Sequence, residues 1–350
     1  MIVLGVETTA HTFGIGIIRI NNKEGGRRVL DGEILANVKD SYKTESGGII
    51  PVEAAKHHEI VKDEVLERAI NKAGIKLQDV DVVAFSQGPG LGPCLRAGAR
   101  FAASLSFKLK KPLVGVNHCI AHLEVGSLVS DVKDPILLYV SGANTQVIAY
   151  EAGKYRIFGE TLDMGVGNFL DAFARELGIG FPGGPKIEKF ALKGKKFVEL
   201  PYVVKGMDIS VSGLLTNLKN KIKLIRDNRV DYSIEDLCFS VQETVFSMLL
   251  EVTERAVFHC DKKEVLLGGG VGCNTRLKEM IKTMAAENKL KVFIPENSLL
   301  TDNGVMIAWL GAKMFAANPK KYSYVDSHDK VVDVVIKPYE RTDDVVVDWK

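Results

Sequence analysis

The chain has 350 residues, 46% of them hydrophobic and 26% charged, with a formal net charge of +2. That length suits two packed domains rather than one core, and the near-neutral charge neither requires nor excludes a nucleic-acid partner. No run of about 18 apolar residues offers a membrane span, and five scattered cysteines (Cys94, Cys119, Cys238, Cys260, Cys273) without a CxxC pair fit a reducing cytoplasm.

The N-terminus, MIVLGVETTAHTFG, lacks the basic start and cleavage site of a signal peptide and enters a strand directly. IVLGVETTAHTFGIGIIRI reads strand, turn, strand. VEAAKHHEIVKDEVLERAINKAG has helical periodicity and stops at Gly74. DVDVVAFSQGPG predicts a buried strand entering a glycine turn, LRAGARFAASLSFKLK a helix, PLVGVN a short strand and HCIAHLEVGSLV the next helix. In PILLYVSGANTQVIAYEAGKYRIF the opening pattern returns: an apolar run, small hydroxyl and glycine residues, then a second strand. GNFLDAFARELG is a helix stopped by Gly178, FPGGP a loop, and SVQETVFSMLLEVTERAVFHC a long apolar helix. EVLLGGGVGCN is a strand into a glycine loop, TRLKEMIKTMAAENK its helix, KVFIP a strand, TDNG a turn and VMIAWLGAKMFA a closing helix. From Asp329 acids alternate with valines, as in an edge strand or a loose tail. Alternating strands and helices predict an α/β fold with a largely parallel sheet in each half. The repeated hairpin predicts two similar domains facing a cleft, expected at residues 1–134 and 135–325 with a tail over 326–350.

SQGPGLGPC, YVSGANTQ and LLGGGVGCNTRL each place glycines where a backbone N–H can meet an anion. Together they point to a nucleotide held between the halves; none is a P-loop. In HCIAHLE, His118 and His122 share one helix face, where they serve either as a metal pair or as two partly buried polar side chains. Asp302 in TDNG is either a third ligand or a helix N-cap. Two histidines and one carboxylate form the facial set of non-haem iron(II), with zinc the rival. His57 and His58 lie on another helix and read as surface or supporting residues. Asp171 and Glu188 flank glycines and suit ribose hydroxyls or a solvated face, and Asn274 suits a base or a cap. The basic stretches Lys219 to Arg229 and Lys193 to Lys196 read as phosphate contacts or as a solvated helix face.

In order, GVETTAHTFG, TESGGIIPVEAAKHH, SQGPGLGPCLRAG, GVNHCIAHLE, YVSGANTQ, GNFLDAFARELG, FPGGP, SVSGLLT, GGGVGCNTRL and TDNG resemble the TsaD family of tRNA threonylcarbamoyladenosine transferases across nearly the whole chain. TAHTFG resembles its archaeal and eukaryotic branch, the catalytic subunit of the KEOPS complex. The resemblance implies two actin- and sugar-kinase-like (ASKHA, ribonuclease H-like) domains with an ATP- or AMP-binding cleft. It implies transfer of threonylcarbamoyl from threonylcarbamoyl-AMP to N6 of the adenosine beside the anticodon, in tRNAs reading codons that begin with adenine. It implies one iron per subunit on His118, His122, Tyr139 and Asp302, substrate contacts from Tyr139, Val140, Ser141, Gly142 and Ala143, and an adenylate held by Asp171, Gly184, Glu188 and Asn274. The implied partners are tRNA and separate KEOPS chains: a Bud-type atypical kinase, a small Pcc-type dimerising subunit and a Cgi-type accessory subunit. Ala143 departs from the family, which usually has glycine there; if that position needs positive φ, alanine costs about 1 kcal/mol. The rival functions are a metal-dependent glycoprotein endopeptidase, for which the HExxH glutamate is missing, a small-molecule kinase of the same fold, and a nucleotide-binding scaffold.

Overall fold

The computed structural model describes residues 1–21, 30–44, 48–324 and 334–350. Part of TESGG and the tail from Asp329 to residue 333 lie outside the described residues. The first half runs β1 (Ile2–Glu7), β2 (Thr12–Asn21), β3 (Asp31–Ser41), α1 (Pro51–Ala73), β4 (Val82–Gly88), α2 (Gly92–Leu109), β5 (Leu113–Asn117), α3 (His118–Glu124) and α4 (Gly126–Val129). The second continues β6 (Ile136–Val140), β7 (Thr145–Glu151), β8 (Lys154–Glu160), α5 (Val166–Glu176), α6 (Gly184–Ala191), the two-residue strands β9 (Val204–Lys205) and β10 (Asp208–Ile209), α7 (Ser212–Arg226) and α8 (Ile234–His259). It closes with β11 (Glu264–Gly268), α9 (Thr275–Glu287), β12 (Lys291–Phe293), α10 (Asn297–Leu300), α11 (Gly304–Ala317) and α12 (Pro319–Tyr322).

The two main sheets share one topology. Their orders are β3-β2-β1-β4-β5 and β12-β11-β6-β7-β8, so β6, β7, β8, β11 and β12 repeat β1, β2, β3, β4 and β5. Each sheet is mixed rather than largely parallel. An antiparallel meander (β1–β2–β3, β6–β7–β8) is extended by two parallel strands. The expectation missed β3, which contributes the second antiparallel pairing of the first sheet. The repeated hairpin predicted from sequence is thus the start of a repeated five-stranded sheet.

Burial follows the layers. One core lies between α1, α2 and the first sheet, around Phe13, Phe85 and Ala102. A second packs α5 to α9 on the second sheet, around Phe169, Phe173 and Phe246. Between the sheets sit α3 and α11, with Ile120, Tyr139, Trp309 and Leu266 fully or nearly buried. The closing helix α11, counted by chain order with the second half, therefore packs on β1 and β2 of the first sheet.

Its approach is backbone against backbone. A Cβ on Gly5 would overlap the backbone of Gly304 and Ala308, and one on Gly16 that of Gly304 and Val305. Without side chains there, α11 sits directly on the strands and the residue before it is held over the end of β1. The tail from residue 334 forms no edge strand; it makes one bridge, Lys154 to Val346, and buries Trp349. Gly16→Val should destabilise the fold by about 3 kcal/mol, since neither backbone can retreat; the midpoint of urea unfolding measures it.

Candidate active site

Asn117 ends β5 and caps α3, its side chain accepting from the Ile120 N–H at 3.1 Å. The helix has seven residues and would not persist alone; both of its faces are tied down. On one face His118 and His122 point their Nε2 atoms at Asp302 Oδ1, at 3.5 and 3.3 Å. The ring centroids lie 4.8 Å apart. One ligand atom from each of His118, His122 and Asp302 lies within 4.8 Å of the other two. Asp302 is not the cap of α11. Asn303 takes that role, accepting from the Met306 N–H at 3.0 Å, which leaves the Asp302 carboxylate turned to the imidazoles.

The opposite nitrogen of His118 is also held. Its Nδ1 lies 3.0 Å from Glu7 Oε2 and 3.2 Å from Thr9 Oγ1, with Glu7 completely buried at the end of β1. A carboxylate on the far side of a ligating imidazole orients the ring and raises its basicity. Burial works against charge on His118, but Glu7 and Asp302 outweigh it and push the imidazole up to about 9. His122, buried beside a second imidazole, is lowered, burial being the main cause. Burial opposes ionisation of Asp302, yet the histidines hold it well below the usual carboxylate range. A buried carboxylate, Glu7, and a partly exposed one, Asp302, against two imidazoles make a pocket that a cation suits, and the donor set fits a divalent metal.

Tyr139, on β6, lays its ring 5.1 Å from that of His122. Burial raises its phenol well above the ordinary value, and a hydrogen bond to Ser141 opposes this. Glu124 faces away from the histidines. It accepts from Tyr155 Oη and Lys313 Nζ, each at 2.5 Å, and from Trp349 Nε1 at 3.1 Å, while its carbonyl accepts from Trp309 Nε1. It anchors α3 and offers no base to a bound metal, so the endopeptidase reading gains no glutamate. His57 pairs with Asp40 at 2.9 Å, and His58 is buried with Nε2 3.0 Å from the Ala10 carbonyl.

The glycine loops divide. In SQGPGLG the amides of Gly90 and Leu91 donate to Pro338 and Thr9 carbonyls, so this loop ties the tail and the β1–β2 turn together. In YVSGAN, Ser141 and Asn144 close the turn on each other, and among the described residues the Gly142 and Ala143 amides donate to nothing. Ala143 is not among the residues with positive φ, so alanine brings no strain there. Val140 ends β6 just before this turn.

The four implied adenylate residues converge. Asp171 Oδ1 accepts from Gly183 N at 2.7 Å, and Gly184 opens α6. Glu188 on the same helix accepts from Thr275 N at 2.8 Å, beside Asn274. Asn274 is the cap of α9, accepting from Leu277 N, and its amide donates to Gln242. Neither acid stands on a free helix face. Burial raises the Asp171 carboxyl, against the amides of Gly183 and Gly184. Three cations of the basic stretches are paired: Lys219 with Glu176, Lys196 with Asp231, and Arg226 to the Glu176 carbonyl.

Sequence reasoning passed over Glu7 and Lys39. An acid closing an otherwise apolar strand was the available signal for Glu7. Lys39 donates to the Asp302 carbonyl at 3.1 Å, a contact between β3 and the turn before α11 that spacing cannot reveal.

Two facing sheets of one topology, with a His–His–carboxylate cluster between them and glycine turns at the strand ends, place the chain among the ASKHA-type α/β proteins. The crystal structure of Thermococcus kodakarensis HypF shares that fold: TM-score 0.60 at 16% identity, over 89% of this chain and 47% of that one. The chain belongs to the TsaD family, described as tRNA N6-adenosine threonylcarbamoyltransferase, whose model matches residues 33–309. It is 53% identical over 349 residues to the tRNA N6-adenosine threonylcarbamoyltransferase of Thermococcus kodakarensis and 54% to that of Thermococcus gammatolerans, covering 100% of both chains in each case. A Methanobrevibacter smithii protein named a probable bifunctional tRNA threonylcarbamoyladenosine biosynthesis protein is 50% identical over 349 residues, and this chain spans 60% of it.

Glu7→Gln should weaken metal binding by roughly 10–100-fold while the fold stays intact, as read by competition with a chromophoric chelator. His58 gives a pH signature. Burial lowers its imidazole from 6.5 to about 4, the Ala10 hydrogen bond opposing. The unfolded chain binds that proton near 6.5 and the folded one only near 4. Stability is therefore full above that window and falls as pH drops through it, by up to about 3 kcal/mol. Urea unfolding at pH 4.5 and 7.5 should show a smaller acid loss in His58→Gln.

Proposed function

We propose that this chain transfers the threonylcarbamoyl group of threonylcarbamoyl-AMP to N6 of the adenosine beside the anticodon, in tRNAs reading codons that begin with adenine, with AMP released. The observation that carries the reading is the convergence of His118, His122 and Asp302 from distant parts of the chain, in a family of this activity. Iron(II) suits two imidazoles and one carboxylate, with zinc the alternative; one ion per subunit would be held by these three and by Tyr139. Bound there, the metal supplies Lewis-acid stabilisation of negative charge on a substrate oxygen.

The rest is done by the chain. The donor is an activated mixed anhydride, so no covalent enzyme intermediate is required and the task is positioning. Asp171, Gly184, Glu188 and Asn274 hold the AMP part in the cleft. The strand end from Tyr139 to Ala143 lies along the transferred group, and the unengaged Gly142 and Ala143 amides face developing negative charge on oxygen. Glu7 and Glu124 keep α3 from turning. The acceptor is tRNA, and the working unit is a cytoplasmic KEOPS-type assembly with a Bud-type kinase, a Pcc-type dimerising subunit and a Cgi-type accessory subunit.

His118→Ala/His122→Ala should abolish both transfer and metal binding while far-UV circular dichroism is unchanged. Nucleoside mass spectrometry after incubation with threonylcarbamoyl-AMP, unmodified tRNA and the partner subunits is the test. Full activity in that variant rejects the metal's role, and no product from the wild-type chain rejects the transferase.

A further inference from the structure

The turn between β1 and β2 is pinned at every residue, yet its last side chain is left without a hydrogen bond. Thr8 N–H donates to Ser86 Oγ at 3.0 Å and Thr9 N–H to Glu7 Oε1 at 2.6 Å. The Thr9 carbonyl accepts from Leu91 N–H at 2.7 Å, the Ala10 carbonyl lies 3.0 Å from His58 Nε2, and the His11 carbonyl accepts from Tyr42 N–H at 2.8 Å. So rigid a backbone fixes where the His11 imidazole stands. Among the described residues that ring makes no hydrogen bond or ion pair; its contact is an edge-on one with Phe181, the centroids 5.7 Å apart.

Phe181 belongs to the second half, in the FPGGP loop whose Gly183 N–H donates to Asp171. His11 therefore spans the cleft from the first half to the second. On one side the turn begins at Glu7, which holds His118 of the histidine cluster, and on the other His11 meets the Phe181 loop, which is tied to Asp171 of the adenylate cluster. A threonylcarbamoyl group held between those two clusters would pass the turn that carries His11. The other bases around it are committed: Glu7 to Thr9 and His118, His118 to Glu7 and Asp302, His122 to Asp302.

Acylation of an exocyclic amine needs somewhere for a proton to go. We propose that His11 is the general base of the transfer, taking that proton from N6 of the acceptor adenosine; this rests on the transferase reading above. The N6 lone pair forms the C–N bond to the carbamoyl carbon. The bond from that carbon to the phosphate oxygen breaks, its electron pair leaving with AMP. The N6 proton passes to an imidazole nitrogen of His11 and then to solvent. Imidazole is the side chain suited to accepting and returning a proton near neutral pH.

The test uses the full chain with its partner subunits and metal, comparing wild type, His11→Ala and His11→Gln. Expected are a fall in kcat of about 10²–10⁴-fold in both variants, little change in KM for tRNA or threonylcarbamoyl-AMP, unchanged bound metal and melting temperature, and partial recovery of His11→Ala by added imidazole. A kcat near wild type overturns the proposal. So does a loss that falls on KM or on metal content and that imidazole does not repair, which would make His11 a latch between the halves. A wild-type chain that makes no product overturns the transferase reading and the base with it, and is distinguished by the absence of product in all three proteins.

Discussion

The site depends on one close approach, the seating of α11 on β1 and β2 through Gly5, Gly16 and Gly304. Side chains at those positions would lift the helix away from the sheet. Asp302 precedes α11 by two residues, so any lift carries its carboxylate away from His118 and His122. Packed interiors transmit such displacements because they hold few voids. The same seat buries Trp309 and brings Lys313 to Glu124, so packing and electrostatics depend on one contact.

The short histidine helix α3 is held from both sides by buried acids. Glu7 fixes the His118 ring, and Glu124 fixes the helix body through Tyr155, Lys313 and Trp349. A buried carboxylate is costly unless it is paired and hydrogen-bonded, and here each one has several partners. Burial resists ionisation of Glu124, but Lys313 and Lys350 overcome it and keep its pKa low. The end of the chain is part of that arrangement: Trp349 donates to Glu124, and Lys350 lies over the rings of Tyr150 and Tyr155. The end of the tail, which sequence pattern left as an edge strand or a loose end, thus braces the back of α3 through Trp349 and Lys350.

Much was legible beforehand where the signal was local. The helix ending at Gly74 ends there, with Gly74 in the left-handed region. The returning hairpin announced the duplicated sheet, because strand pairs joined by short turns are written in adjacent residues. Parallel and antiparallel pairing was misjudged, since β3 carries weaker alternation and its partner β2 is apolar almost throughout. Asp302 and Asn303 show the limit at single-residue scale. Either could cap α11 by composition, and only the dihedral path into the helix gives the cap to Asn303 and leaves the Asp302 carboxylate turned to the histidines.

By itself the sequence determined the α/β class, the duplicated architecture, the histidine pair on one helix face and the family, because periodicity, spacing and ordered motifs are properties of neighbouring residues. The tertiary structure decided which acids complete the site. Glu7 and Asp302 stand 111 and 184 residues from His118 along the chain, and no local rule pairs residues so distant. It also decided which glycine loops keep free amides, which carboxylate faces a cation and which braces a helix, and where His11 stands. Those outcomes follow from how two sheets and one glycine-seated helix close on each other, and hydrogen bonds and charge pairs form only between groups that packing has brought within about 3 Å.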